Sequence, residues 1–139
     1  MNTLSFATGI ITYRVNDACD ISFNPTDSAF IDRLYTAFEV LEKKQESYKT
    51  DIMSREKPQD ILEFSQERDA EMRKIIDGVF GDGVSSQLFG EMNVYSLANG
   101  LPVWCNFLLA VMDESNSAFE REQKATNPKL AKYLKKYNK

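Results

Sequence analysis

The sequence predicts an α+β fold that is mostly helical. An N-terminal β-hairpin is followed by three main α-helices with short connecting turns and by a basic C-terminal tail. Three observations predict it. Residues 10–23 are rich in β-branched and alternating residues around an Asn-Asp-Ala turn. Three later stretches repeat apolar residues at intervals of three and four. The last residues hold a cluster of lysines and no acid. At 139 residues the chain has the length of one domain, large enough to fold without a disulfide or a metal. Residues 1–127 are expected to form that domain, hairpin plus helical body, and residues 128–139 the tail.

The first strand is expected at Ile10–Val15, with Ser5–Thr8 as a possible extension across a Gly9 bulge. The second is Cys19–Phe23, where Cys19, Ile21 and Phe23 alternate with polar residues. A lone hairpin is marginal in water, so it must pack on a helix or pair with another chain. Its open edges suit association with a second copy. Asn24 is the expected N-cap of the first helix, with Pro25 in its first turn and Asp27 near the positive end of its dipole. Phe30, Ile31, Leu34, Tyr35, Phe38 and Leu41 then mark one apolar face, and the helix is expected to run to about Tyr48. Thr50 to Pro58 reads as a connector with Met53 turned inward.

Pro58 opens the second helix. Ile61, Phe64, Met72, Ile75, Ile76, Val79 and Phe80 line its apolar side, interrupted by Arg68, which is expected to snorkel to the surface. Asp60, Glu63, Glu67 and Glu71 form an acidic ridge on the same helix. It offers a docking surface to a basic partner; the plainer reading is a solvated helix face. Gly78, Gly81 and Gly83 end the helix. Gly81-Asp82-Gly83 lacks the spacing of a phosphate-binding loop. Ser85 or Ser86 is expected to cap a turn carrying Leu88 and Phe89, and Ser96–Asn99 to make a further turn before Gly100. Pro102 opens the last helix, whose wide apolar face (Val103, Trp104, Phe107, Leu108, Val111, Met112, extended by Phe119) suits a central position. The expected core is Phe30, Leu34, Phe38, Ile75, Val79, Trp104, Phe107, Leu108 and Val111.

Charge is segregated. Residues 1–122 carry a balance of −10, and residues 123–139 carry six lysines and no acid. Within the tail, Leu130, Tyr133, Leu134 and Tyr137 fall on one helical face among Lys129, Lys132, Lys135 and Lys136. Such a segment suits docking on an acidic, apolar-grooved surface, either the ridge of a second copy or a client protein. The plainer alternative is a solvated end. The acidic body argues against nucleic acid as a partner.

The chain has no histidine. That removes the commonest general base, the Ser-His and Cys-His pairs and nearly every catalytic zinc site. Cys19 and Cys105 form no CxxC unit. Asp20, Asp27 and Asp82 carry oxygen ligands but share no metal-binding spacing. No catalytic, cofactor or metal site is therefore expected. The longest apolar stretch, Leu101–Met112, is too short to span a membrane. A cytosolic protein with free thiols is expected.

Two stretches carry a resemblance. One is Val15-Asn16-Asp17 followed by Ile21-Ser22-Phe23-Asn24-Pro25-Thr26-Asp27 at the mouth of a long amphipathic helix. The other is Ile76-Asp77-Gly78-Val79-Phe80-Gly81-Asp82-Gly83 followed by Leu88-Phe89-Gly90. Together, over roughly residues 10–115, they resemble the small tail assembly chaperones of long-tailed phages of Gram-positive hosts. The resemblance implies a protein that is not an enzyme and acts in many copies. It would coat the tape-measure protein in the host cytoplasm until tail tube subunits replace it, and be absent from the finished virion. It also implies a longer form made by ribosomal slippage, for which Leu134-Lys135-Lys136 marks a candidate site. No binding residues are carried over. The alternative of another class is a small phage-encoded inhibitor that binds a host or bacterial defence enzyme.

Overall fold

A computed structural model of the chain describes residues 1–54 and 57–125, leaving aside the side chains of Phe38, residues 41–49 and Ile52. The elements are β1 (Ile11–Val15), β2 (Cys19–Phe23), α1 (Ser28–Ser54), α2 (Pro58–Phe80), α3 (Val84–Phe89), β3 (Leu97–Ala98), β4 (Leu101–Pro102) and α4 (Val103–Lys124). The mostly helical α+β fold and its N-terminal hairpin are present. The three expected helices are α1, α2 and α4.

β1 and β2 pair antiparallel, with Ile11 opposite Phe23, Tyr13 opposite Ile21 and Val15 opposite Cys19. Asn16 and Asp17 both take left-handed backbone angles, and Ala18 N–H closes the turn on the Val15 carbonyl at 2.9 Å. That twist matches the flanking strands. The period of two puts Cys19, Ile21 and Phe23 in the core. The other face is wet: Thr12 and Ser22 hydroxyls lie 2.7 Å apart, and Arg14 pairs with Asp20 at 3.2 Å.

One run of aromatic rings joins six elements. Phe23 stacks on Tyr13 at 4.8 Å and on Phe30 of α1 at 4.5 Å. Phe80, at the end of α2, meets Phe30 edge-on at 5.7 Å and Phe107 of α4 at 4.8 Å. Phe89 of α3 then meets Phe107 at 6.2 Å. Leu34, Met72, Ile76, Val94 and Leu108 fill the space around this run.

Several expectations need correction. Asn24 is not the cap of α1. Its Oδ1 accepts hydrogen bonds from the N–H and hydroxyl of Thr26, making a turn, and Asp27 caps the helix by accepting from Ala29 N–H at 3.0 Å. The two carboxamide and carboxylate residues compete for the same role, and the turn wins at Asn24 because Pro25 sits buried behind it. Helix α1 continues through the expected connector to Ser54, and Met53 is exposed. Ser5–Thr8 add no strand. Neither serine caps α3, which starts from Gly83 in the left-handed region; Asp77 of α2 holds it by accepting from Ser85 N–H at 2.8 Å. Ser96–Asn99 contribute instead to a second hairpin, β3–β4, turning at Asn99-Gly100, both at positive φ.

Of the expected core, Phe30, Leu34, Trp104, Phe107, Leu108 and Val111 are buried, while Ile75 and Val79 are half-buried at its margin. The Phe38 side chain lies outside the described residues. Tyr35, Ile61 and Phe119 are exposed, since the helices meet over a narrower stripe than their apolar residues span.

Candidate functional site

Helix α2 carries Glu63, Glu67 and Glu71 exposed along one line, with Asp60 half-buried at its start. Spacings of three and four keep all four on one face of the helix. The basic segment expected to meet this ridge (Lys129, Leu130, Lys132, Tyr133, Leu134, Lys135, Lys136 and Tyr137) lies outside the described residues. Arg68 does not snorkel away from this helix. Its guanidinium lies 3.8 Å from the centre of the Tyr95 ring and 5.5 Å from that of Phe64, the stacking that a planar, weakly hydrated cation favours. Burial pushes the Tyr95 phenol up, with Arg68 pulling the other way.

Two of the three acids singled out as metal ligands are spent on structure. Asp20 pairs with Arg14, Asp27 caps α1, and Asp82 stands exposed in the turn after α2. Among the described residues no three Cys, Asp or Glu side chains gather as a metal site. No described helix is long and apolar enough to cross a membrane.

What the structure assembles is an apolar groove. The first hairpin meets α4 and α3 incompletely, leaving a hollow of about 370 Å³ walled by Val15, Leu88, Phe89, Met92, Val103 and Phe107. It runs into a second hollow of about 290 Å³ under the hairpin, bordered by Tyr13, Ile21, Phe23, Val111 and Glu114. Ala110 lines both, so its small, exposed side chain forms part of the shared floor. None of the residues lining the larger hollow is charged.

Both rims are fastened by polar contacts. On one side Tyr13 Oη donates to Glu114 Oε1 at 3.2 Å, and Arg121 Nη2 donates to the same oxygen at 2.7 Å. The Arg121 bond, helped by Tyr13 and opposed by desolvation, holds the Glu114 carboxyl below its usual range. On the other side, residues 90–95 are gripped by α2. Asp69 and Arg73, one turn apart, pair at 2.9 Å. Arg73 Nη2 donates to the carbonyls of Gly90 and Met92, both at 2.7 Å, and Asp69 Oδ1 accepts from Val94 N–H at 2.7 Å. Asn93 Nδ2 donates to Ser65 Oγ at 3.0 Å. These bonds set Met92 at the rim. Sequence reasoning passed over Asp69 and Arg73, although acid and base four apart on a helix was the available signal.

The third feature is the N-terminal arm. Residues 1–10 carry no charged side chain. They include Leu4 at 99% exposure, Phe6 at 84% and Ile10 at 61%. The arm leaves the body through a fitted junction. Asn24 Nδ2 donates to the Thr8 carbonyl at 2.9 Å. Gly9 sits at φ +73°, and a Cβ there would lie 2.7 Å from that amide nitrogen.

Comparison with protein families, with characterised proteins and with solved structures yields no match to this chain.

Proposed function

We propose that this protein is a non-enzymatic assembly chaperone of a long-tailed phage, which self-associates and coats the tape-measure protein before the tail tube polymerises. The observation that carries the reading is the pairing of an apolar groove, whose larger hollow has no charged lining, with an exposed apolar arm. That is contact chemistry for protein surfaces, because exposed apolar area gains from being covered. The sequence resemblance supplies the class of client. A tape-measure protein is long, helical and prone to aggregate, and its apolar helix faces suit surfaces of this kind. The acidic ridge and the basic tail add a charged contact that salt weakens, suited to later displacement by tube subunits.

The test is to look for a very long helical open reading frame directly downstream of this gene and to co-express its product with this protein. The expected result is a client that is soluble only in the presence of this protein, in a complex holding several copies of it per client. A client that stays insoluble with and without it overturns the reading. A strictly monomeric protein that binds one host enzyme in equal numbers supports the inhibitor instead. Deleting residues 128–139 should weaken client binding without moving the melting temperature of the body.

A further inference from the structure

The arm and the groove are each half of a contact. We propose that the N-terminal arm of one copy seats in the groove of a second copy, and that two copies exchange arms reciprocally. The inference rests on the self-association part of the reading above and not on the identity of any client.

The first argument is chemical match. The arm has no charged side chain and the larger hollow has no charged lining. In an extended chain Leu4 and Phe6, two apart, point to the same side. They enter a groove together while Thr3, Ser5 and Ala7 remain outward.

The second argument is placement. The arm's base, at Gly9 and Asn24, borders a small hollow beside Ala118, Arg121 and Glu122, near the C-terminal end of α4. The groove lies beside Asn106 and Ala110, toward the N-terminal end of the same helix. Glu122 lies twelve positions after Ala110 along the helix, ~18 Å at 1.5 Å per residue. Two α4 helices set antiparallel about a two-fold axis therefore bring each arm base opposite the other copy's groove. Phe6 and Leu4 lie two and four residues beyond the clasped Thr8, ~7 and ~13 Å when extended, a reach comparable to the ~8–10 Å between packed helices and short of the ~18 Å to the arm's own groove. Within one chain the path is worse. The groove sits at the turn end of the first hairpin, and the arm leaves from its open end, where the Asn24 clasp holds Thr8.

The third argument is area. Phe6 hides roughly 150 Å² or more when covered and Leu4 roughly 100 Å², with a somewhat smaller area of groove. One seated arm thus buries ~450 Å², far short of the ~1,000 Å² expected of a specific interface, and two seated arms come close to it. Reciprocal exchange is the arrangement that comes nearest to this requirement, and it is the self-complementary form that a two-fold pair takes.

The experiment uses three full-fold variants and measures mass in solution. Deleting residues 2–7 removes the arm and keeps the Asn24 clasp. Ala110→Glu puts a charge on the groove floor at an exposed helical site that should not disturb folding. Met92→Glu does the same from the opposite wall. Wild type is expected as a pair at micromolar concentration, and each variant as a monomer, with association at least ~10-fold weaker. Mixed together, the arm-deleted and Ala110→Glu chains retain one good arm and one good groove. They are expected to stay monomeric at micromolar concentration, because one seated arm alone falls short of the area that a pair needs. With Cys105→Ser as background, Phe6→Cys and Ala110→Cys on separate chains should cross-link between chains. A wild type that stays monomeric, an arm deletion that keeps the pair, or a mixture that pairs as tightly as wild type overturns the proposal. So does a Phe6–Ala110 cross-link confined within one doubly substituted chain. If Thr12→Pro abolishes the pair while arm deletion does not, strand edges and not arms make the contact. Loss of client binding with arm exchange intact would remove the chaperone reading and leave this one standing.

Discussion

The two hairpins wall the same groove but are held by different forces. In β1–β2, three residues of one strand enter the core and Phe23 stacks between two aromatic rings. In β3–β4, Leu97, Ala98 and Leu101 are exposed, and the strands are two residues long. That second ribbon is fixed by hydrogen bonds: Val103 N–H to the Ser96 carbonyl at 2.8 Å, Trp104 N–H to the Val94 carbonyl at 3.2 Å, and Asn106 Nδ2 to the Ala98 carbonyl at 2.9 Å. The Asp69–Arg73 grip holds the loop leading into it. Burial is non-directional and large; hydrogen bonds are directional and individually modest. The first hairpin should therefore unfold only with the domain, while the second can open alone.

The largest test of this contrast is Phe23→Ala. It removes a ring from the middle of the aromatic run and should cost ~3–5 kcal/mol. Denaturant unfolding is expected to show one cooperative transition shifted as a whole. A separate, early loss of the hairpin would break the contrast.

Arg73→Met keeps the bulk and removes the grip. The expected cost is ~1–3 kcal/mol, because the part-buried Asp69 and two exposed carbonyls lose a charged partner. The informative readout is hydrogen exchange. Amides of Val94 and Val103 should exchange faster while those of β2 keep their protection. Equal acceleration in both hairpins would show that the grip serves the whole core.

Gly100→Ala is smaller. Gly100 holds φ +82° with open space where a Cβ would go, so the penalty is conformational alone, ~1–2 kcal/mol. It should raise exchange in β3–β4 and leave the aromatic core's melting behaviour nearly unchanged.

The smallest effect is the response to acid. Glu114 is held below its ordinary pKa by Arg121 and Tyr13. A lowered folded-state pKa stabilises the fold above the unfolded value of ~4.3 and loses that contribution as pH falls through the folded value. Both partners are partly exposed, so the loss is slight. Below about pH 4 the β1–α4 rim should loosen, seen as faster exchange near Tyr13, and Glu114→Gln should remove most of this acid dependence. A pH response unchanged in Glu114→Gln would place its origin elsewhere.

Much of the architecture was legible because it rests on spacing. The period of two in Cys19–Phe23 and the three-four spacing from Pro102 onward required burial of one face, and Trp104, Phe107, Leu108 and Val111 are buried. The second hairpin was missed although Asn99-Gly100 is a strong turn signal. Its strands are too short to show alternation, so the turn chemistry stood without a pattern around it. Helix α1 outran its expected end because Thr50–Ser54 are weak but permissible helix residues, and nothing among them stops a helix already under way.

The groove is another kind of fact. Val15, Phe89, Met92 and Ala110 come from four separate segments, and no spacing in the chain announces that they border one hollow. Local pattern settles which face of each element is apolar, since that depends on the period of the backbone alone. Where those faces fit incompletely depends on side-chain volumes meeting across distant elements, a property of packing with no local signature. The arm shows both sides of this division. Leu4, Phe6 and Ile10 can be read directly from the chain as apolar, but their exposure follows from the Gly9–Asn24 junction, which forms only when β1 and the turn after β2 lie side by side.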